Sequence, residues 1–133
     1  MLKGLDHIGI IVDEIAEAKK TFVDLLGMKV AEEVVELPGN CDVQFLQAGS
    51  DLVELVQLAP ENPTHELLKQ RPHSRIHICL EVDDIHKDFQ RIKEAGGEML
   101  DEEPWLSPHG YAGFFFAQSD SGVLIEFRQH VEQ

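Results

Sequence analysis

Two histidines and two glutamates stand in stretches of sequence that are otherwise apolar. His7 opens the run His7-Ile8-Gly9-Ile10-Ile11-Val12, and His77 opens His77-Ile78-Cys79-Leu80-Glu81-Val82. Glu54 lies between Val53 and Leu55, and Glu126 between Ile125 and Phe127. A carboxylate inside an apolar strand loses hydration worth several kcal/mol unless a cation or strong donors replace the water. Two such carboxylates facing each other would repel or share a proton, and Arg128 is the only lysine or arginine in these four stretches to neutralise them. A divalent metal resolves the conflict. Two imidazole nitrogens and two carboxylate oxygens form a mixed ligand set that leaves one or two positions open.

Taken singly, a histidine at a strand start is more often a hydrogen-bonded structural residue, and a glutamate on a strand more often faces solvent. Recurrence changes that weighting. His7-Ile8-Gly9-Ile10-Ile11-Val12-Asp13-Glu14-Ile15 returns as His77-Ile78-Cys79-Leu80-Glu81-Val82-Asp83-Asp84-Ile85, and Leu52-Val53-Glu54-Leu55 returns as Leu124-Ile125-Glu126-Phe127 at nearly the same spacing. Each half thus supplies one histidine and one carboxylate at matching places. Cys79 shares the face of His77 and is expected to fill core. His65, His73, His86, His109 and His130 are expected in loops, on a helix or at the tail, and not as ligands.

The elements that must position these residues follow from periodicity. Strand alternation puts His7, Gly9 and Ile11 on one face and Ile8, Ile10 and Val12 on the other. After each histidine strand, apolar residues recur at helical spacing: Ile15, Ala18, Phe22, Leu25 and Leu26, then Ile85, Phe89, Ile92 and Ala95. Asp13 and Asp83 are placed to cap the helix starts, Gly27 and Gly96-Gly97 to end them. Strands are expected over 29–36, 42–47 and 52–58, and over 98–100, 113–118 and 123–128. Pro38-Gly39-Asn40, Gly49-Ser50-Asp51, Pro108-His109-Gly110 and Ser119-Asp120-Ser121-Gly122 are the intervening turns. Both halves therefore read β-α-β-β-β. The expected fold is α+β: two βαβββ modules, about 1–58 and 75–133, pair into a curved eight-stranded mixed sheet around a metal cleft, with helices outside. The proline-rich stretch of about 59–74, with a short helix over 63–70, reads as the linker within a single domain spanning 1–133.

Composition removes other classes. The chain has 133 residues, 25 acidic against 11 basic, for a formal net charge of −14. Nucleic acid and anionic membrane both require a positive surface, so neither is an expected partner. No apolar run approaches membrane-spanning length and no signal peptide is seen, so a cytoplasmic location is expected. Cys41 and Cys79 have no CxxC spacing and are expected to be reduced.

The segments DHIGIIVDEI, LLGMKV, LVELV, IHICLEVDDI and GVLIEF resemble the vicinal oxygen chelate superfamily over nearly the whole chain. This is the glyoxalase/bleomycin resistance group, which includes glyoxalase I, methylmalonyl-CoA epimerase and extradiol dioxygenases. Its members take metal ligands from the first and last strands of each module, which implies His7, Glu54, His77 and Glu126 here, around one divalent ion (Zn, Ni, Co, Mn or Mg). The chain is most similar to the methylmalonyl-CoA epimerase branch. That similarity rests on the linker APENPTHELLKQRP, on IHICLEVDDI, and on DEEPWLSPHGYAGFFFAQSDSGVLIEF with its His109-Gly110 loop. Ile76-His77 stands where the epimerases often carry two adjacent histidines, and the spacing from Glu54 to Pro60 is two residues longer than usual.

The resemblance implies an isomerase that removes and returns an α-proton through a chelated enolate, with Glu126 and Glu54 as acid/base partners on opposite sides of the substrate. Gln44 falls about where the epimerases place an additional carboxylate. A glyoxalase I-type lactoylglutathione lyase, which uses the same ligand types, is the alternative. A dioxygenase or a non-catalytic binding protein is the further alternative, against which the full set of four ligands counts. The substrate would be an acyl-CoA or a thiol conjugate, and a homodimer is implied. Lys69, Arg71 and Arg75 could meet CoA phosphates, although the preferred reading is solvated surface charge.

Overall fold

The computed structural model describes residues 1–37, 41–117 and 123–131. The expected turns Pro38-Gly39-Asn40 and Ser119-Asp120-Ser121-Gly122 lie outside the described residues, as does Gln118. Ten strands are present among the described residues: β1 (Leu2–Val12), β2 (Lys29–Val30), β3 (Val35–Leu37), β4 (Cys41–Ala48), β5 (Asp51–Leu58), β6 (Ile76–Val82), β7 (Glu98–Met99), β8 (Trp105–Ser107), β9 (Gly110–Phe116) and β10 (Leu124–Gln129). The helices are α1 (Ile15–Lys19), continued by a π-helical segment Lys20–Leu25, α2 (Thr64–Gln70), followed by a 3-10 turn Pro72–Arg75, and α3 (Ile85–Glu94). No helix among the described residues is long and apolar enough to cross a membrane.

The chain divides into two compact units, His7–Ile76 and a second that joins Met1–Asp6 to His77–Gln133. In the first unit β2, β4, β5 and β1 lie side by side, with β3 also on β4. β1 runs parallel to β5, placing Gly9 opposite Glu54, and β4 runs antiparallel to β5, placing Phe45 opposite Glu54. In the second unit the order is β6, β10, β9, β7, with β8 also on β9. β6 is parallel to β10, and β9 is antiparallel to it, with Phe114 opposite Glu126. The α+β class, the mixed pairing and the β-α-β-β-β order in each half are as expected.

The eight expected strands become ten because the expected 29–36 splits into β2 and β3, and because β8, outside the expected strands, follows β7. In the first half Ala31 N–H still reaches Phe45 O at 2.9 Å before pairing stops and resumes at β3. In the second half Leu100 and Asp101 both donate to Phe114 O at 3.1 Å, and the Asp101 carboxylate takes the Phe114 N–H at 2.8 Å. A side chain there does what a ladder partner would do. Such short strands limit the open edge a sheet would otherwise offer.

Alternation assigns the faces. Ile15, Leu46 and Leu55 form the buried core of the first unit with Phe22, Val12 and Val53 against them, while Val82, Ile85, Phe89, Phe115 and Phe127 form that of the second. The helices cover those faces, which leaves His7, Glu54 and Phe45, and likewise His77, Glu126 and Phe114, on the opposite one.

The helix starts differ from expectation. Neither Asp13 nor Asp83 is the cap. Ile15 N–H donates to Gln57 Oε1 at 2.8 Å, and Ile85 N–H donates to Gln129 Oε1 at 2.9 Å. Glu14, before α1, makes no capping bond through its side chain, whereas Asp84 accepts the Lys87 N–H at 3.2 Å. A glutamine from the strand beneath outreaches the local aspartate. At the other end Gly27 (φ 81°) and Gly96 (φ 89°) take the left-handed conformation expected of helix-ending glycines.

Candidate metal centre

Each half builds the same small assembly. In the first, His7 at the middle of β1 and Glu54 on β5 bring Nε2 and Oε1 to 3.5 Å. In the second, His77 on β6 and Glu126 on β10 bring the same atoms to 3.0 Å. The parallel pairing of histidine strand and glutamate strand makes this possible, because it holds the two side chains on one face in the same diagonal relation, Glu54 opposite Gly9 and Glu126 opposite Cys79, each two residues along from the histidine. All four are buried: His7 is 1% exposed, Glu54 6%, His77 4% and Glu126 1%.

Each imidazole rests edge-on against a phenylalanine from the strand beyond. His7 meets Phe45 at 5.1 Å and 89°, and His77 meets Phe114 at 5.2 Å and 78°. Because Phe45 pairs with Glu54 and Phe114 with Glu126, one aromatic ring walls in each histidine–carboxylate pair. That contact fixes the ring plane at little entropic cost and keeps water from the imidazole edge.

The second pair has a further partner. Arg128 Nη2 donates to Glu126 Oε2 at 2.8 Å, so the two oxygens of Glu126 meet different groups. Arg128 sits two residues beyond Glu126 on β10 and therefore on the same face, a relation the i, i+2 rule makes legible from sequence. The repeat also extends to Glu-x-x-Gln in both halves, a signal that marks Gln57 and Gln129 as equivalent without showing what they bind.

Other expected residues fall outside these assemblies. Gln44 pairs with Leu55 on the helix-covered face and donates to Glu32 O at 3.3 Å, so it is not on the face of Glu54. Cys79 is fully buried, and both cysteines are free thiols. Burial raises the Cys41 thiol above its ordinary value, aided by the charges of Glu54 and Asp42. His65 reaches Ala59 O, His86 meets Tyr111 edge-on, and His130 pairs with Asp6. Lys69 is bound to Glu66 at 2.9 Å on the exposed side of α2, the solvated reading.

The donor set of each pair, one imidazole nitrogen and one carboxylate oxygen, fits half of a site for a divalent ion of borderline hardness. Burying two such anions without one would need other compensation, part of which Arg128 supplies to Glu126.

Residues 4–127 match the family model described as the Glyoxalase/Bleomycin resistance protein/Dioxygenase superfamily. An ethylmalonyl-CoA/methylmalonyl-CoA epimerase of Cereibacter sphaeroides is 32% identical over 133 residues, covering 97% of this chain and 99% of that protein. A crystal structure of a hypothetical protein from Bacillus halodurans superposes with a TM-score of 0.80 at 30% identity, covering 97% of this chain and 95% of that one. The fold is shared also with a methylmalonyl-CoA epimerase of Streptomyces coelicolor in complex with 2-nitronate-propionyl-CoA, at a TM-score of 0.79 and 21% identity, over 99% of this chain and 100% of that one.

Proposed function

Since this chain belongs to the glyoxalase/bleomycin resistance protein/dioxygenase superfamily, we propose that it is a metal-dependent acyl-CoA epimerase, with methylmalonyl-CoA as the first substrate to test. His7, Glu54, His77 and Glu126 together would hold one divalent ion. The observation that carries this reading is the buried histidine–glutamate pair built twice, at the same place in each half, each against a phenylalanine. The relative of equal length that acts on ethylmalonyl-CoA and methylmalonyl-CoA supports the substrate class.

The ion supplies a Lewis acid that lowers the energy of negative charge on the substrate oxygens as the α-proton leaves. The chain's own residues do the rest. Glu54 and Glu126 are the groups that take the α-proton and return it, one from each side of the substrate, so that the centre inverts. Phe45 and Phe114 stand edge-on to the imidazoles, and the returning proton comes from the second glutamate, which exchanges with solvent between turnovers.

The test pairs metal with exchange. Purified protein should contain about one divalent ion per chain, lose turnover on chelation and recover it when the ion is restored. In D₂O it should wash deuterium into the α-carbon of methylmalonyl-CoA and leave the hemithioacetal of methylglyoxal and glutathione unchanged. Turnover of the hemithioacetal instead would make it a lactoylglutathione lyase, and activity that survives chelation would end the metal-dependent reading.

A further inference from the structure

Arg128 is 5% exposed, on the same face of β10 as Glu126 and two residues beyond it. Its Nη2 holds Glu126 Oε2 at 2.8 Å, while Oε1 faces His77 Nε2 at 3.0 Å. At the matching place beyond Glu54 the first half has Val56, buried and uncharged. This fold therefore accepts an aliphatic residue there. Stability alone does not explain a guanidinium in that position, because a buried ion pair is often no more stabilising than apolar groups of similar volume.

A carboxylate can offer one oxygen or both to a hard cation, and the groups hydrogen-bonded to it from outside decide which. We propose that Arg128 is a positioning residue for the metal centre. It commits Oε2 of Glu126 to the guanidinium, so that only Oε1 serves the ion and a coordination position stays free for the second oxygen of a chelating substrate. The charge-assisted bond from a planar guanidinium is strong enough and directional enough for this. This role rests on the metal-centre reading above, and it leaves Oε1 of Glu126 as the oxygen that serves the ion and that, on leaving it, exchanges the proton.

The experiment loads wild type, R128M and R128K with Co(II) and records visible absorption and malonate binding. Malonate chelates through two oxygens in the same 1,3 relation as a malonyl thioester. In R128M the Co(II) bands should weaken as the second Glu126 oxygen raises the coordination number. Malonate should bind about 10- to 100-fold more weakly, the scale of loss typical when a group that orients a metal ligand is removed. R128K, which keeps a charged donor, should recover most of both signals. If R128M matches wild type in spectrum and malonate affinity and differs only in melting temperature, Arg128 merely neutralises a buried acid and the proposal is overturned. If neither variant folds around Co(II), Arg128 belongs to the core and the proposal is likewise overturned. A wild-type chain that takes up no Co(II) is a separate failure, because it removes the metal centre itself and this role with it.

Discussion

The two halves place the same pair of side chains at the same point and then surround the carboxylate differently. Shared between them are the histidine, the glutamate, the phenylalanine behind the imidazole, and the glutamine that anchors the helix start. Different are the residue two beyond the glutamate, valine in one and arginine in the other, and the residue at the strand break, Ala31 in one and Asp101 in the other. The shared features all serve to hold a donor in place, while the divergent ones gather around Glu126. The two pairs share one scaffold, and the carboxylate of the second also meets a buried guanidinium.

The largest effect should come from cutting the carboxylates themselves. E126A and E54A should each lower the rate of deuterium exchange into methylmalonyl-CoA by at least about 100-fold, the lower end of what a positioned acid or base contributes. Metal binding should separate them. E126A removes the braced ligand and should weaken Co(II) more than E54A does, as titration calorimetry on both would show. Equal losses of metal affinity would break the comparison between the halves.

Packing differs at the next level of magnitude. Gly113 and Gln44 occupy matching places, opposite Phe127 and Leu55. A Cβ on Gly113 would stand 2.8 Å from Phe89 Cε1, so α3 sits directly on a bare backbone. G113A should lose about 1–3 kcal/mol in urea unfolding, as overpacked cores do. Gln44 carries a buried Oε1 that accepts no hydrogen bond among the described residues. Q44M should therefore change stability by less than about 1.5 kcal/mol and leave exchange at wild-type rate. A large loss of exchange in Q44M would return Gln44 to the site and contradict its placement on the helix-covered face.

The helix anchors sharpen the same contrast. Gln57 is the side-chain partner of the α1 start, where Glu14 makes no capping bond, whereas α3 has both Gln129 and Asp84. Loss of a helix cap costs about 1 kcal/mol. Q57A should reach that figure and Q129A fall short of it, because Asp84 continues to hold Lys87 N–H. Chemical denaturation of the two variants side by side decides the order.

Much of this was legible in sequence, and the reason is the repeat. His7, Glu54, His77 and Glu126 were readable because a polar residue in an apolar strand is costly and these four recur in register. The module order followed from periodicity, and Gly27 and Gly96 from helix endings. What sequence did not show were the relations fixed by pairing across strands. The register that sends Gln44 to the helix-covered face, and Gln57 and Gln129 under the helix starts, is set by β4 against β5 and by parallel pairing that no local pattern encodes. The aspartates chosen as caps, Asp13 and Asp83, stand one residue before the N-caps Glu14 and Asp84, and in each half a strand glutamine takes the first helical N–H. In the second half the strand end depends on one side chain, Asp101, meeting the backbone N–H of Phe114, a contact no local pattern encodes.

Asp101 gives the smallest and last test, because it has no acidic counterpart at Ala31. Burial pushes its carboxyl above the ordinary aspartate value, the bonds from Phe114 N–H and Trp105 Nε1 pull it back, and the Glu126 charge adds a further upward push. For a group raised in the folded state, the stabilising contribution is complete below the unfolded value and is lost as pH rises through the folded one. The charge at Asp101 is therefore a net burden in neutral solution, reduced by the group's partial exposure to solvent. In D101N that titration disappears, while the amide oxygen can still accept from Phe114. The stability of D101N relative to wild type should rise as pH is raised from below the ordinary aspartate range to neutrality. No matching change is expected in A31N, since Ala31 meets Phe45 O through its backbone N–H and neither alanine nor asparagine titrates there. Parallel pH series of urea unfolding measure both: a flat difference for D101N would mean that folding is indifferent to the Asp101 charge, and one that falls with rising pH that the charge holds the break.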